Sequence, residues 1–424
     1  MKKIVVTVAA LLFMMQVSKA QTDSSEYRKL KFQEINFITS YYSQDGNHSA
    51  VTGGEGTEYL TDFGNSIDLH LKGFDRKLNV HNLSFELGLD TYTSASSNNI
   101  DKVRDPNFVP VVSTSASSSY KEGGTVISSA SKSDFRISPS VNYLFENVRK
   151  NFSIGTGLSF SNEFDYTSFG ANLLFVKSFN NKNTEFSAKA SAFLDQWKIL
   201  LPLELRGVYN NGFKYDHLDK APRNSYNLAL AWSQVLNREI QFSLLADIGY
   251  QTGQLGTAYQ RVYFYDGDLD PINDVVYSEK MPDTRFKTPF GVRLNYFMTD
   301  RIILRSFYRY YSDDWGIKAH TAEVELPIKI TPFISLAPFY RYYTQTEAKY
   351  FKPMGEHLLS DEFYTSDYDL SKFNSNMFGI NFRLVSGDGI LGIRSFNTLE
   401  LRYNYYDRSD GLNSHLVTLA LKFK

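Results

Sequence analysis

The sequence predicts an all-β fold, a transmembrane antiparallel up-and-down β-barrel of about 16 strands. Apolar side chains alternate with polar or small ones along most of the chain, a period of two that suits strands and no helix. The alternating runs are roughly 12 to 15 residues long. Strands of soluble sandwiches are commonly about 5 or 6 residues, whereas a tilted strand needs about 9 to 11 to cross a bilayer. Short turns also alternate with longer connections, the order expected of an outer-membrane barrel with both termini in the periplasm.

From the start, Met1 to Ala20 reads as a signal peptide: Lys2 and Lys3 precede an apolar run, Ile4 to Val17, and Ser18-Lys19-Ala20 is a small-x-small cleavage signal. That run of about 14 residues is short of the about 20 a transmembrane helix needs. The domains expected are therefore the signal peptide 1–20, a periplasmic segment 21–30 and the barrel 31–424. With zero Cys, the chain has no lipid-attachment site, disulfide framework or thiolate metal site. A formal charge of -1 argues against a nucleic-acid partner, which needs a basic footprint.

Strands follow at about 31 to 43, with Ile35, Phe37, Thr39 and Tyr41 outward, at 59 to 73, where Ile67, Leu69 and Leu71 oppose Asp68, His70 and Lys72, and at 79 to 93, where Leu83, Phe85, Leu87 and Leu89 oppose Glu86 and Asp90. A serine-rich loop runs to about Ser133. Further strands are read at 134 to 146, 151 to 163, 166 to 179, 184 to 196, 224 to 236 and 239 to 253, and an acidic loop then reaches Asp283.

The clearest unit spans Thr284 to Thr346 and holds four runs parted by short turns. In the first, Phe290, Val292, Leu294 and Tyr296 alternate with Gly291, Arg293, Asn295 and Phe297. In the second, Ile302, Leu304, Tyr308 and Tyr310 alternate with Arg305 and Arg309, and in the third Ala322, Val324, Leu326 and Ile328 alternate with Glu323 and Glu325. The fourth sets Ile334, Leu336, Tyr340 and Tyr342 against Ser335, Ala337 and Arg341. Tyrosines gather near one end of each apolar face, as in an aromatic girdle at a membrane interface. Strands at 374 to 386, 394 to 408 and 412 to 423 complete the set, the last ending on Phe423 and Lys424.

Energetics fix which face looks inward. Sliding the Ile302 to Tyr310 strand by one residue would turn Arg305 and Arg309 to lipid, at about 2 to 4 kcal/mol each near the midplane. The candidate lumen residues are thus Arg136, Lys189, Asp247, Arg293, Arg305 and Arg309, with Glu323, Glu325, Arg383, Glu400 and Arg402. A hairpin at Asp313 to Gly316 would bring Arg305 opposite or diagonal to Glu323 and Glu325, and ion pairs there are read first as braces of the wall.

Other motifs fall short of a site. Gly387 to Gly392 matches GxGxxG, but a strand follows where the nucleotide fingerprint needs a helix. Asp266, Asp268 and Asp270 start a calcium-loop spacing that Pro271 and Tyr277 break, so an acidic loop is read, with Asp274 leaving room for a weak, lipopolysaccharide-bridging calcium. The seven histidines form no HExxH pair. No cofactor is expected.

The segments SNEFDYTSFG at 161 to 170, MPDTRFKTPFGVRLNYFMTDRIILRSFYRYYSDDWGIKAHTAEVELPIKITPFISLAPFYRYYTQT at 281 to 346 and FYTSDYDLSKF at 363 to 373 resemble an uncharacterised family of bacterial outer-membrane proteins, labelled only as a domain of unknown function. The Ser-Ala-Ser triplets at Ser94 to Ser96, Ser115 to Ser117 and Ser129 to Ser131 resemble that family's own. The resemblance implies the fold and an outer-membrane location but assigns no activity or site residues. Members tend to be encoded near thioredoxin-like and flavin-transferring envelope proteins, which implies a redox neighbourhood for the family.

Two functions are expected, neither enzymatic. One is a pore or transport protein for small polar solutes, set in lipid and lipopolysaccharide; the other is a non-conducting scaffold docking periplasmic thioredoxin-like or flavin-transfer proteins. A distant third is a hydrolase assembled on the barrel wall, with His320 and His415 on the outward parity.

Overall fold

The structure, a computed structural model, describes residues 29–93, 100–102, 125–127, 134–202, 205, 219–265 and 275–424. The segment 1–20 read as a signal peptide, the Ser-Ala-Ser triplets and Asp266, Asp268, Asp270 and Asp274 lie outside these residues. Sixteen antiparallel strands form a closed barrel. Numbered as barrel strands, they are β1 Lys31–Asp45, β2 Leu60–Phe74, β3 Val80–Tyr92, β4 Asp134–Asn147, β5 Phe152–Asn162, β6 Tyr166–Phe179, β7 Thr184–Lys198 and β8 Lys220–Val235. Then come β9 Ile240–Gly253, β10 Thr284–Lys287 with Phe290–Phe297, β11 Ile303–Ser312, β12 Lys318–Glu325 with Ile328–Lys329, β13 Ile334–Gln345, β14 Phe373–Val385, β15 Phe396–Arg408 and β16 Asn413–Phe423.

Each strand pairs with the next, and β16 returns to β1, with Ile35 opposite Phe423 and Tyr41 opposite Val417. Across this seam Lys422 Nζ lies 2.9 Å from Glu34 Oε1. The expected runs differ from the observed strands in two instructive ways. First, β10 and β12 are interrupted at Pro289 and Pro327, residues that lack the N–H a ladder needs. Second, β8 begins at Lys220 because it follows β7 to its end, Lys220 opposite Lys198, through a polar stretch with no alternation to announce it.

Five of the short turns at the N-terminal rim share one device. Asp75, Asn147, Asn237, Thr299 and Thr331 each accept a backbone N–H two to four residues ahead with a side-chain oxygen, at 2.8 to 3.2 Å. The GxGxxG segment is also a turn: Ile390 bridges to Ile393, Gly389 has φ 95°, and β15 follows with no helix between. At the other rim the tight β11–β12 turn needs Gly316, whose φ is 96°, and Asp313 Oδ1 accepts the Ile317 N–H at 3.0 Å.

Packing is inverted relative to a soluble protein. Alternate side chains such as Phe85, Ile137, Leu173, Leu228, Val292 and Phe378 are exposed on the outer face, Leu173 at 63% and Phe378 at 53%. Outward tyrosines, among them Tyr308, Tyr340, Tyr342 and Tyr403, stand toward the rim opposite the N-terminus. The buried apolar cluster of Leu255, Met281 and Trp315, with Tyr350 and Leu370 against it, lies instead among connections at that rim. This is the surface of a transmembrane barrel, with hydrocarbon as its outer solvent.

Candidate functional site

Two regions carry the polar chemistry: the inner wall and a cap of loops at the rim opposite the termini. On the wall, ladder register sets several charged residues directly opposite one another, one of the expected Arg305 pairs among them. Arg305 faces Glu325 and Asp90 faces Arg136, with N–O distances of 2.9 and 2.7 Å. Arg383 faces Glu400 at 3.0 Å. Glu323 is held not by Arg305 but by Arg341 on the following strand, at 3.0 Å.

The other expected wall residues stand apart from these pairs. Arg293 lies over the Phe307 ring at 5.5 Å. Asp247 feels Arg309 at longer range. Lys189, Arg309 and Arg402 have no ion-pair partner among the described residues. Charge is also segregated around the ring. Strands β10 to β15 carry Arg285, Lys287, Arg293, Arg305, Arg309 and Arg341 as well as Arg383 and Arg402, against Glu323, Glu325 and Glu400. Strands β1 to β3, about a third of a turn away, carry Glu34, Asp62, Asp68, Glu86 and Asp90 against Lys31, His70 and Lys72.

The cap was not foreseen. Segments 46–59, 254–265, 275–283 and 346–372 fold over one another, and the connection after β9 contains a small hairpin, Arg261–Phe264 with Val275–Ser278. Arg261 donates to the Val51 carbonyl oxygen at 2.8 Å. His48 stacks on Tyr368 at 3.8 Å, and the Phe264 ring packs between Tyr277 and Tyr364. His357, 1% exposed, has Nδ1 3.2 Å from Asp361 Oδ2 and Nε2 3.0 Å from the Thr365 carbonyl oxygen, so both ring nitrogens face acceptors. Only the density of aromatics in 346–372 could have signalled such packing, because irregular connections have no periodicity to read.

Two carboxyls sit in the middle of the cap. Glu279 accepts from the Thr257 N–H and the Thr365 hydroxyl, each at 2.5 Å. Gln260 bridges to Asp367: with its amide nitrogen 3.2 Å from both Glu279 oxygens, its carbonyl oxygen lies 3.4 Å from Asp367 Oδ2 and suits a protonated acid. Burial pushes Glu279 up to about 7. Burial, then the charges of Asp369 and Glu279, push Asp367 up to about 8. Both values are raised, so their contribution to cap stability is full below the ordinary carboxylate range and is lost as pH rises through about 7 to 8. Tryptic cutting within 254–283 and 346–372 is expected to speed up between pH 6 and 9, and Asp367→Asn to flatten that response; an unchanged slope in the variant would refute the assignment.

Each outward histidine pairs with a tyrosine of an adjacent strand. His320 Nδ1 is hydrogen-bonded to the Tyr308 hydroxyl at 2.7 Å and His415 Nδ1 to the Tyr403 hydroxyl at 2.9 Å. Among the described residues no cluster of three His, Cys, Asp or Glu side chains could hold a metal ion.

A family model described as "Protein of unknown function (DUF3570)" matches residues 3–421. No curated protein matches the sequence. Among solved structures, the chain is similar to a BenF-like porin from Pseudomonas fluorescens Pf-5, at 9% identity and TM-score 0.39 over 92% of this chain and 98% of that one. It is similar to OccAB1 of Acinetobacter baumannii at 11% identity and TM-score 0.38, over 94% and 99%. A third is a ferric enterobactin receptor (PfeA) mutant from Pseudomonas aeruginosa, at 8% identity and TM-score 0.44, over 88% of this chain and 53% of that one. These likenesses concern barrel architecture alone.

Proposed function

The chain belongs to the DUF3570 family, and from that premise we propose that it is an outer-membrane barrel that passes small polar solutes. The observation that carries the proposal is the combination of a closed ring of sixteen strands with an inward face on which Lys189, Arg309 and Arg402 have no ion pair among the described residues. A ring of about sixteen strands is wide enough for an aqueous channel, and charges that do not brace the wall are available to passing solutes. The outer leaflet beside the cap would be lipopolysaccharide. No enzymatic step is proposed.

Purified protein in planar bilayers is expected to give stable conductance steps. Because the wall from β10 to β15 is predominantly basic, the steps should prefer anions. Arg305→Ala and Arg309→Ala should each lower that preference, read as a shift of reversal potential in a salt gradient; an unmoved potential in both variants would count against a conducting arginine wall.

The cap favours a second reading, in which the barrel is closed at one end and serves as a docking scaffold for periplasmic thioredoxin-like or flavin-transfer proteins. Silence of both the intact protein and a cap-loosened variant, together with binding of such a purified partner, would select it.

A further inference from the structure

Between β12 and β15 the inner wall encloses a cavity of about 280 Å³. Its lining is ordered by strand: Glu323 on β12, Phe339 on β13, Met377 and Asn381 on β14, and Arg402 and Asn404 on β15. Register sets this order. Arg402 lies directly opposite Asn381, and Asn404 lies opposite Gly379. A Cβ on Gly379 would stand 2.2 Å from Asn404 Oδ1, so the glycine makes the room that the asparagine uses.

Three polar groups here are left over from the wall's own bonding. Arg402, Asn381 and Asn404 have no hydrogen-bond or ion-pair partner among the described residues, and Asn381 Oδ1 is shut off from solvent without one. That oxygen can only accept, so the donors this edge offers to an anion are the Arg402 guanidinium and the Nδ2 hydrogens of Asn381 and Asn404. The acidic edge is different. Glu323 is held by Arg341 at 3.0 Å and its neighbour Glu325 by Arg305 at 2.9 Å, which fixes both carboxylates in place while leaving lone pairs free. Met377 and Phe339, whose ring carries the Arg341 guanidinium at 5.3 Å, form the floor between the two edges.

We propose that this cavity is a recognition subsite for a small zwitterion with an apolar middle, such as a short dipeptide. The ligand carboxylate meets the Arg402 guanidinium and the Nδ2 hydrogens of Asn381 and Asn404, the ammonium meets Glu325 with Glu323 one row beyond, and the middle lies beside Phe339 and Met377. Glu325 shares a row with Phe339, Gly379 and Asn404, and Arg402 lies two residues along from that row. With strands about 4.8 Å apart and residues about 3.3 Å apart along a strand, Glu325 and Arg402 are about 16 Å apart at the backbone, and their long side chains narrow that gap toward the few ångströms between the ends of a dipeptide. The biological sense of the subsite rests on the reading of the barrel as a solute channel.

Calorimetric titration of the purified full chain in detergent tests binding, and uptake into proteoliposomes tests passage. The probes are alanyl-leucine, its N-acetyl derivative and its C-terminal amide. Saturable binding of the free dipeptide is expected, weakened at least about tenfold by blocking either end and about 10- to 100-fold by Arg402→Gln. Met377→Trp, which fills the cavity and keeps every charge, should abolish binding even if loss of Arg402 disturbs the wall. Arg383→Gln, whose partner is Glu400 outside the cavity, should bind like the parent. Equal binding of the blocked probes, or unchanged binding in Arg402→Gln and Met377→Trp, overturns the subsite. Binding without uptake upholds the subsite while defeating the channel reading; uptake without saturable binding does the reverse.

Discussion

Arg408→Ala is expected to free the cap from the barrel rim. The Arg408 side chain is 6% exposed at the end of β15, with Nη1 2.5 Å from Asp369 Oδ1, a further pair to Asp410, and Nη2 donating to the Tyr368 carbonyl oxygen at 3.0 Å. Its guanidinium lies 4.0 Å from the centre of the Phe373 ring. Asp369 is 73% exposed and water can replace its partner, but Asp410 is 10% exposed and would be left charged and alone. Breaking a buried pair on one side costs about 3 to 5 kcal/mol. Hydrogen exchange across 346–372 should therefore speed up by about a hundredfold or more while the barrel strands keep their protection. Arg408→Ala with Asp410→Ala should recover part of the loss, because no stranded charge remains. Equal exchange in parent and single variant would show that the cap is held by other contacts.

Leu173→Arg should destabilise the barrel more than any inner-face change of the same size. Leu173 sits midway along β6, between Thr156 and Ala190 on the flanking strands, and is 63% exposed on the apolar face. An arginine there near the bilayer midplane costs about 2 to 4 kcal/mol. Its neighbour Asn172 points to the opposite face, where Asn172→Arg meets a polar lumen. Urea midpoints of the two variants reconstituted in liposomes separate the faces. A larger loss for Asn172→Arg than for Leu173→Arg would reverse the assignment of outside and inside.

The barrel was legible because its physics is periodic. A two-residue alternation that must keep Arg305 and Arg309 out of hydrocarbon fixes which face looks inward, and the observed ladder, Arg305 opposite Glu325, is one of the pairings that this face and the tight turn allow. The short turns were legible for a related reason: Asp75, Asn237 and Thr299 are residues whose side chains bond the backbone locally. Where pairing is set by neighbours instead of pattern, the sequence was mute. The start of β8 and the choice of Arg341 over Arg305 as the Glu323 partner are of this kind. The cap was the largest omission. Glu279, Asp367 and His357 are far apart in the chain, sit in segments with no period, and acquire their character only from burial. The unpartnered Arg402 and Asn381 lie between, since their face could be read from alternation but their lack of partners could not.

The seam between β1 and β16 has a consequence for how the molecule is made. Every other pairing joins strands consecutive in sequence, so hairpins can zip in the order in which the chain emerges. Only the first and last strands must wait for each other, and until Lys422 reaches Glu34 each presents a bare edge to any other copy nearby. Slow closure, more than slow strand formation, should therefore decide how much of the newly made protein is lost to aggregation.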